Sequence, residues 1–242
     1  MRKTFPGHHY PWKLTDLLVV LVAIAGVGWL YDKIGRAIFS LMVKVLAFIP
    51  ATDLYYFLVG AILQTLMVIG LVCYFSFVKY QCRPEDLGLG NYPWPRALWL
   101  GFLGGISLFS LMFVGASLIS LVYPEVPAPQ PFAEIVMRVK NWRELIIPLL
   151  VGSVLAPVSE EMYFRGFVYP YLRSRLGVRM ALWLSAMFFS VLHLDVVRFI
   201  PLMLGGFGLA WLYERTGSLY PSVVAHGVWN GVMTFIIFWS AH

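Results

Sequence analysis

The sequence predicts an all-α, polytopic integral membrane protein with about seven to eight transmembrane helices. Of its 242 residues, 60% are hydrophobic and only 12% are charged, and the mean hydropathy is +0.77. A soluble domain usually carries about 25% charged residues. The hydrophobic residues form long uncharged runs, and roughly 20 such residues are enough to cross a bilayer as a helix. A transmembrane β-barrel would instead show short segments of alternating hydrophobicity.

The hydrophobic runs give seven predicted spans, at residues 14–31, 54–78, 97–123, 145–172, 180–194, 199–213 and 219–240. Between the first two spans, residues 33–49 place Lys33, Arg36 and Lys44 on one helical face and apolar residues largely opposite. This pattern predicts a basic amphipathic helix at the membrane interface, with a short tilted eighth span as the alternative. Residues 79–96 form a polar connector. We expect a single membrane domain, divided into N-terminal spans at 1–143 and a core at 144–242.

The net charge of +6 does not indicate a nucleic-acid partner, because the cations lie at the ends of the spans and in loops. The expected partner is instead the lipid bilayer. A cytoplasmic N-terminus places more Lys and Arg residues inside than outside, which favours that orientation modestly.

Six polar residues interrupt the last hydrophobic spans: Glu160, Glu161, Arg165, His193, His226 and Asn230. Ionisable groups are expensive inside a bilayer, so a cluster of them indicates a functional site. These residue types transfer protons and donate hydrogen bonds, which is the chemistry that peptide-bond hydrolysis requires.

Helical geometry divides the roles of the two adjacent glutamates. Glu161 and Arg165 are four residues apart and can pair on one face of a helix. A buried guanidinium needs such a partner. Glu160 points about 100° away and is left to face a cavity as the reagent. The alternative is that Glu160, Glu161 and Arg165 form a purely structural network of ion pairs.

His226 and Asn230 are also four residues apart, so they share a face of the last span. Asn230 either orients His226, or both side chains donate to the same oxygen. If the polar helices pack together, Glu160 and His193 can hold a water molecule that Glu160 deprotonates as a general base. His226 and Asn230 are suited to stabilising the oxyanion that forms when this water attacks a carbonyl group.

Three motifs in this region, Glu160-Glu161-x-x-x-Arg165, Phe189-x-x-x-His193 and His226-x-x-x-Asn230, resemble those of the CAAX protease and bacteriocin-processing family, also called the type II CAAX endopeptidases. The resemblance covers residues 145–240. It implies a glutamate-dependent intramembrane endopeptidase of about eight helices, with 144–242 as its catalytic core. It implies that Glu160 and His193 activate water and that His226 and Asn230 stabilise the oxyanion.

The resemblance also implies a membrane-associated protein or peptide as the substrate: a CAAX protein, a peptide precursor or a C-terminal sorting signal, lipidated in some members. It implies the inner membrane of a bacterium or archaeon. No cofactor is expected. Two alternatives stay open: a zinc protease in which Glu160, His193 and His226 bind the metal, and a non-proteolytic proton-coupled transporter or immunity protein that uses the buried charges as a proton relay.

Overall fold

The computed structural model describes residues 10–122 and 128–242. The described residues are helical almost throughout and contain no β-strand, which confirms the predicted all-α class. Within the two described ranges, the α-helices are α1 (Leu14–Val45), α2 (Asp53–Cys73), α3 (Trp94–Val122), α4 (Pro131–Met137), α5 (Trp142–Leu150), α6 (Ala156–Tyr163), α7 (Tyr169–Leu192), α8 (Phe199–Thr216) and α9 (Leu219–Ser240). The predicted end of the third span at Tyr123 and the cations Arg2 and Lys3 lie outside the described residues.

Five helical stretches in the described ranges are long and apolar enough to cross a membrane: Leu14–Val45, Asp53–Lys79, Trp94–Leu118, Trp142–Leu192 and Leu219–Ser240. The fourth stretch is 51 residues long. It contains two of the predicted spans, which are joined at Gly177. The predicted span at 199–213 corresponds to α8, which has spanning length at 18 residues but is not among the five.

The separate interfacial helix predicted at residues 33–49 is wrong, because α1 continues without a break to Val45. No residue between Tyr31 and Gly35 ends the helix, because Gly35 is the only residue there with a poor helix propensity and it is accommodated within α1. At 32 residues, α1 is roughly 48 Å long, which exceeds the apolar thickness of about 30 Å. Its basic residues are therefore accommodated at the far end of one long helix, where Arg36 pairs with Asp53 of α2 at 2.8 Å.

Gly177 reverses the chain in the middle of the longest helical stretch. Its backbone has φ 75° and ψ 170°, which is strongly disfavoured for a residue with a side chain. The arm before Gly177 carries Glu160, Glu161 and Arg165, and the arm after it ends at His193. The turn therefore returns His193 towards the level of the two glutamates.

Helix α9 lies at the centre of the molecule, where it packs along α3 and also contacts α6 and α8. Glycines allow this close approach. A Cβ atom on Gly105 of α3 would lie only 2.6 Å from the Ala225 carbonyl oxygen of α9. Near the start of the described chain, the buried Trp12 donates its indole N–H to the Phe167 carbonyl at 2.9 Å and so fastens the segment before α1 to the glutamate-bearing arm.

Candidate active site

The two glutamates lie in α6, a short α-helix bracketed by two π-helical turns, Val151–Leu155 and Phe164–Val168. In a π turn each N–H bonds five residues back, so the helix widens and some carbonyl groups are released from their usual partners. Side chains from other helices take up two of these carbonyls. Thr65 of α2 donates to Leu155 at 3.3 Å, and Asn230 of α9 donates to Gly152 at 2.9 Å.

Glu161 and Arg165 form the ion pair predicted from their spacing, with Nη1 and Oε1 2.7 Å apart. Both side chains are completely buried. The Arg165 guanidinium also donates to the Gly206 carbonyl of α8 at 2.8 Å and lies 4.9 Å from the centre of the Phe189 ring. This single side chain thus connects three helices behind the site.

His226 contacts both glutamates, one through each ring nitrogen. Its Nδ1 lies 2.8 Å from the Glu161 oxygen that also binds Arg165, and its Nε2 lies 3.8 Å from Glu160 Oε2. An ionised carboxylate only accepts hydrogen bonds, so Nδ1 carries a proton in this contact. The sequence offered Asn230 as one possible orienting partner of His226, whereas the partner in the structure is Glu161. The spacing of residues along one helix carries no information about a contact that joins two helices.

Glu160 lines a cavity of about 1180 Å³ between the helices, and Glu161 does not. This agrees with the different directions that helical geometry predicts for adjacent residues. The Glu160 side chain is 32% exposed, although the Oε2 atom itself is buried, without a hydrogen-bond partner among the described residues. The position of Glu160 therefore leaves it open to a water molecule or a substrate.

His193 also lines this cavity, at the C-terminal end of α7. Its Nδ1 donates to the Phe189 carbonyl at 2.8 Å, so in the neutral ring Nε2 is the acceptor. No hydrogen bond and no N···O pair within 4 Å joins His193 to Glu160 in the described parts of the chain. The two groups are thus placed across a shared space rather than in direct contact.

The loop after His193 is held in place by Asp195. Its carboxylate accepts from the backbone and side chain of Arg198, at 2.9 and 2.6 Å, and from Gln130 at 2.9 Å. Burial alone would raise the pKa of Asp195, but these hydrogen bonds outweigh it and lower the pKa. The ionised Asp195 therefore fixes the loop that follows His193.

Asn230 completes the set of residues that line the cavity. One amide N–H is used by Gly152, which leaves the second available to a group in the cavity. Glycines on α9 allow this approach, since a Cβ atom on Gly227 would collide with the Ser153 carbonyl oxygen. Glu160, His193, His226 and Asn230 thus come together at one cavity, whereas Glu161 and Arg165 lie behind it.

The fold and this arrangement define a polytopic membrane protein with an acid–histidine site inside its helical bundle. Residues 142–232 match the family model described as Type II CAAX prenyl endopeptidase Rce1-like, which confirms the resemblance seen in the motifs. The matched residues include every predicted site residue. No solved structure matches the chain.

Individual relatives support the same family over part of the chain. The chain is 28% identical over 89 residues to the putative membrane peptidase YdiL of Bacillus subtilis, covering 37% of this chain and 35% of that protein. It is 26% identical over 119 residues to CAAX prenyl protease 2 of Homo sapiens, covering 40% of this chain and 36% of that protein. An uncharacterized 24.3 kDa protein of Escherichia coli is 25% identical over 218 residues, covering 87% of this chain and 91% of that protein. The match therefore spans about a third of the length of the two relatives whose names describe an activity.

Proposed function

We propose that this protein is an intramembrane endopeptidase that hydrolyses a peptide bond of a membrane-associated protein or peptide. The observation that carries the proposal is the convergence of Glu160, His193, His226 and Asn230 on one cavity inside the bundle. The peptidase names of two relatives support peptide hydrolysis as the reaction.

Glu160 acts as the general base in this mechanism. A water molecule held between Glu160 and His193 gives its proton to the Glu160 carboxylate, and the resulting hydroxide attacks the substrate carbonyl carbon. Glu160 then delivers this proton to the departing amine, so the products are a carboxylate and an amine. The role fits Glu160 because its side chain is 32% exposed and lines the cavity.

His226 and Asn230 stabilise the oxyanion of the tetrahedral intermediate. Because Nδ1 already donates to Glu161, His226 donates from Nε2 only as the doubly protonated imidazolium. In that form the two ring nitrogens face the carboxylates of Glu160 and Glu161, at 3.8 and 2.8 Å.

The reaction needs no metal ion in this proposal. One Glu161 oxygen is already shared by Arg165 and His226. The described residues include no group of three His, Cys, Asp or Glu side chains placed to share a metal ion. The competing zinc mechanism predicts that 1,10-phenanthroline abolishes activity and that added zinc restores it, whereas we expect activity to survive chelation.

The test of the function uses purified protein and a quenched fluorescent peptide that ends in a farnesylated CAAX sequence, beside the same peptide without the lipid. We expect the wild-type protein to cleave the peptide and Glu160→Gln to show no cleavage. The amide keeps the shape of the side chain but cannot accept the proton. The melting temperature should stay within a few degrees. Wild-type turnover by Glu160→Gln would remove the proposed base, and comparing the two peptides shows whether the lipid is required.

We further propose that the N-terminus is cytoplasmic, in the plasma membrane of a bacterium or archaeon. The charged residues that line the cavity, such as Arg36 and Arg138, lie at the end of the molecule opposite the start of α1. The part of the cavity lined by Arg36 and Arg138 then lies on the side away from the cytoplasm. In a background without Cys73 and Cys82, an impermeant maleimide added to intact cells should label Lys140→Cys and spare Arg179→Cys. The reverse labelling would invert the orientation.

A further inference from the structure

The wall of the cavity formed by α2 carries a single polar amide side chain in the middle of an apolar span. The residues of α2 that line the cavity recur every three or four positions, which defines one helical stripe: Asp53, Tyr56, Phe57, Gly60, Ala61, Gln64, Thr65 and Val68. Asp53 lies at the helix terminus, and Gln64 lies eleven residues further along the helix. Gln64 therefore faces the cavity at membrane depth.

Gln64 has no hydrogen-bond partner in the described parts of the chain, and its side chain is exposed. A polar group in hydrocarbon costs free energy unless a partner satisfies it. A leucine at this position would avoid that cost and favour the helix as well. The presence of the Gln64 amide at this position is explained if a molecule that enters the cavity supplies its hydrogen-bond partner.

The neighbouring residue fixes the depth of Gln64 relative to the catalytic helix. Thr65 donates to the Leu155 carbonyl at 3.3 Å, and Leu155 immediately precedes α6, the helix that carries Glu160. The Gln64 side chain therefore lines the cavity beside the first turn of α6. Most of the residues that line the cavity around it are apolar, so few other side chains compete with Gln64 for a hydrogen bond there.

Peptide hydrolysis creates a need for such a group. A peptide bond is attacked only when its carbonyl is accessible, so the cleaved segment leaves its helical hydrogen bonds. Within a bilayer, backbone groups that lose their partners need new ones from the protein. A glutamine side chain offers a donor and an acceptor, the same pair that a peptide group presents.

We propose that Gln64 is a substrate-positioning residue, whose amide pairs with a backbone peptide group of the extended segment in the cavity. This inference rests on the proposed peptidase function. It assigns Gln64 to substrate binding and leaves the chemical step with Glu160.

The experiment compares Gln64→Leu, Gln64→Asn and the wild-type protein on the farnesylated quenched peptide. Leu63→Ala is the matched control, because Leu63 is the adjacent exposed residue and is absent from the cavity stripe. We expect Gln64→Leu to raise KM about tenfold, which corresponds to the loss of roughly one hydrogen bond, with kcat within about twofold. Gln64→Asn should fall between the two, and Leu63→Ala should match the wild type.

A double-mutant cycle identifies the partner of Gln64. The binding of the uncleaved peptide to Glu160→Gln protein is measured by fluorescence anisotropy, with and without Gln64→Leu, for peptides N-methylated at one backbone position at a time. N-methylation at the paired position should weaken binding to proteins that retain Gln64. It should have little further effect on proteins that carry Gln64→Leu, since the two changes remove the same contact.

The outcomes separate the two proposals. Cleavage with no change in KM or Kd for Gln64→Leu overturns the positioning role alone. A loss of thermal stability that accounts for the loss of binding also overturns it, because Gln64 is then structural. Binding that depends on Gln64 without any cleavage by wild-type protein overturns the peptidase function alone, and an absence of peptide binding overturns both.

Discussion

A single carboxylate oxygen, Oε1 of Glu161, organises the site by holding two cationic or potentially cationic neighbours. Arg165 binds it at 2.7 Å and His226 Nδ1 at 2.8 Å. The contact with Arg165 could be predicted from its four-residue spacing to Glu161. The contact with His226 could not be predicted, because His226 lies 65 residues away on another helix. Glu161 therefore joins the supporting pair to the proposed oxyanion donor.

Loss of Glu161 or Arg165 should destabilise the protein strongly. Each of Glu161→Ala and Arg165→Ala leaves a fully buried charge without its ion-pair partner, which typically costs about 3–5 kcal/mol. The free energy of unfolding in detergent measures this loss. The matched control is Glu134→Ala, because Glu134 and Arg138 have the same four-residue spacing on the surface, and such exposed pairs contribute roughly 0.3–0.5 kcal/mol. A Glu161→Ala protein that is fully stable yet inactive would make Glu161 a reagent instead of a support.

At the scale of the helices, the glutamates owe their positions to two π turns that hydropathy does not reveal. A π turn inserts one residue into a helix without changing its composition, so the sequence at 145–172 predicts a helix but does not reveal the two π turns. The approximate positions of most helices could be predicted, since each is a long apolar run. The continuity of α1 could not, because charged residues within a helix longer than the membrane look like the start of a new element.

The contact between α9 and the first π turn depends on a small residue at position 227. In Gly227→Ala, the new Cβ would collide with the Ser153 carbonyl oxygen, and backbone atoms cannot rotate away as a side chain can. The helices should separate, which moves Asn230 away from the Gly152 carbonyl and displaces His226. We expect a loss of about 1–3 kcal/mol in stability and more than a tenfold loss in peptide cleavage.

Gly70→Ala is the control for this substitution. Gly70 also lies in a helix, and a Cβ atom there meets nothing within 4 Å. The control should be neutral or stabilise the protein by up to about 1 kcal/mol, since alanine favours a helix over glycine. Thermal melts and cleavage rates of the two variants test the contact. Equal behaviour of Gly227→Ala and Gly70→Ala would show that close packing at Gly227 is unimportant.

At the scale of the whole molecule, the cavity is a product of helix packing. The four lining residues predicted from the sequence come from α6, the C-terminal end of α7 and α9, while α2 supplies a further part of the wall. These four residues could be identified from the sequence because each is a polar residue inside a predicted apolar span. Gln64 was missed because an uncharged amide barely changes the hydropathy of its span. The distance between His193 and Glu160 follows from the reversal at Gly177, which no local pattern measures.

In the proposed mechanism, a water molecule activated by Glu160 attacks the peptide carbonyl directly. The most direct measurement is a single turnover in ¹⁸O-labelled water with enzyme in excess over the quenched peptide, followed by mass spectrometry of both the product and the enzyme. The mechanism predicts one ¹⁸O atom in the new product carboxylate and none in Glu160. An unlabelled product together with ¹⁸O in the Glu160 carboxylate would contradict it, because the glutamate would then have attacked the substrate itself.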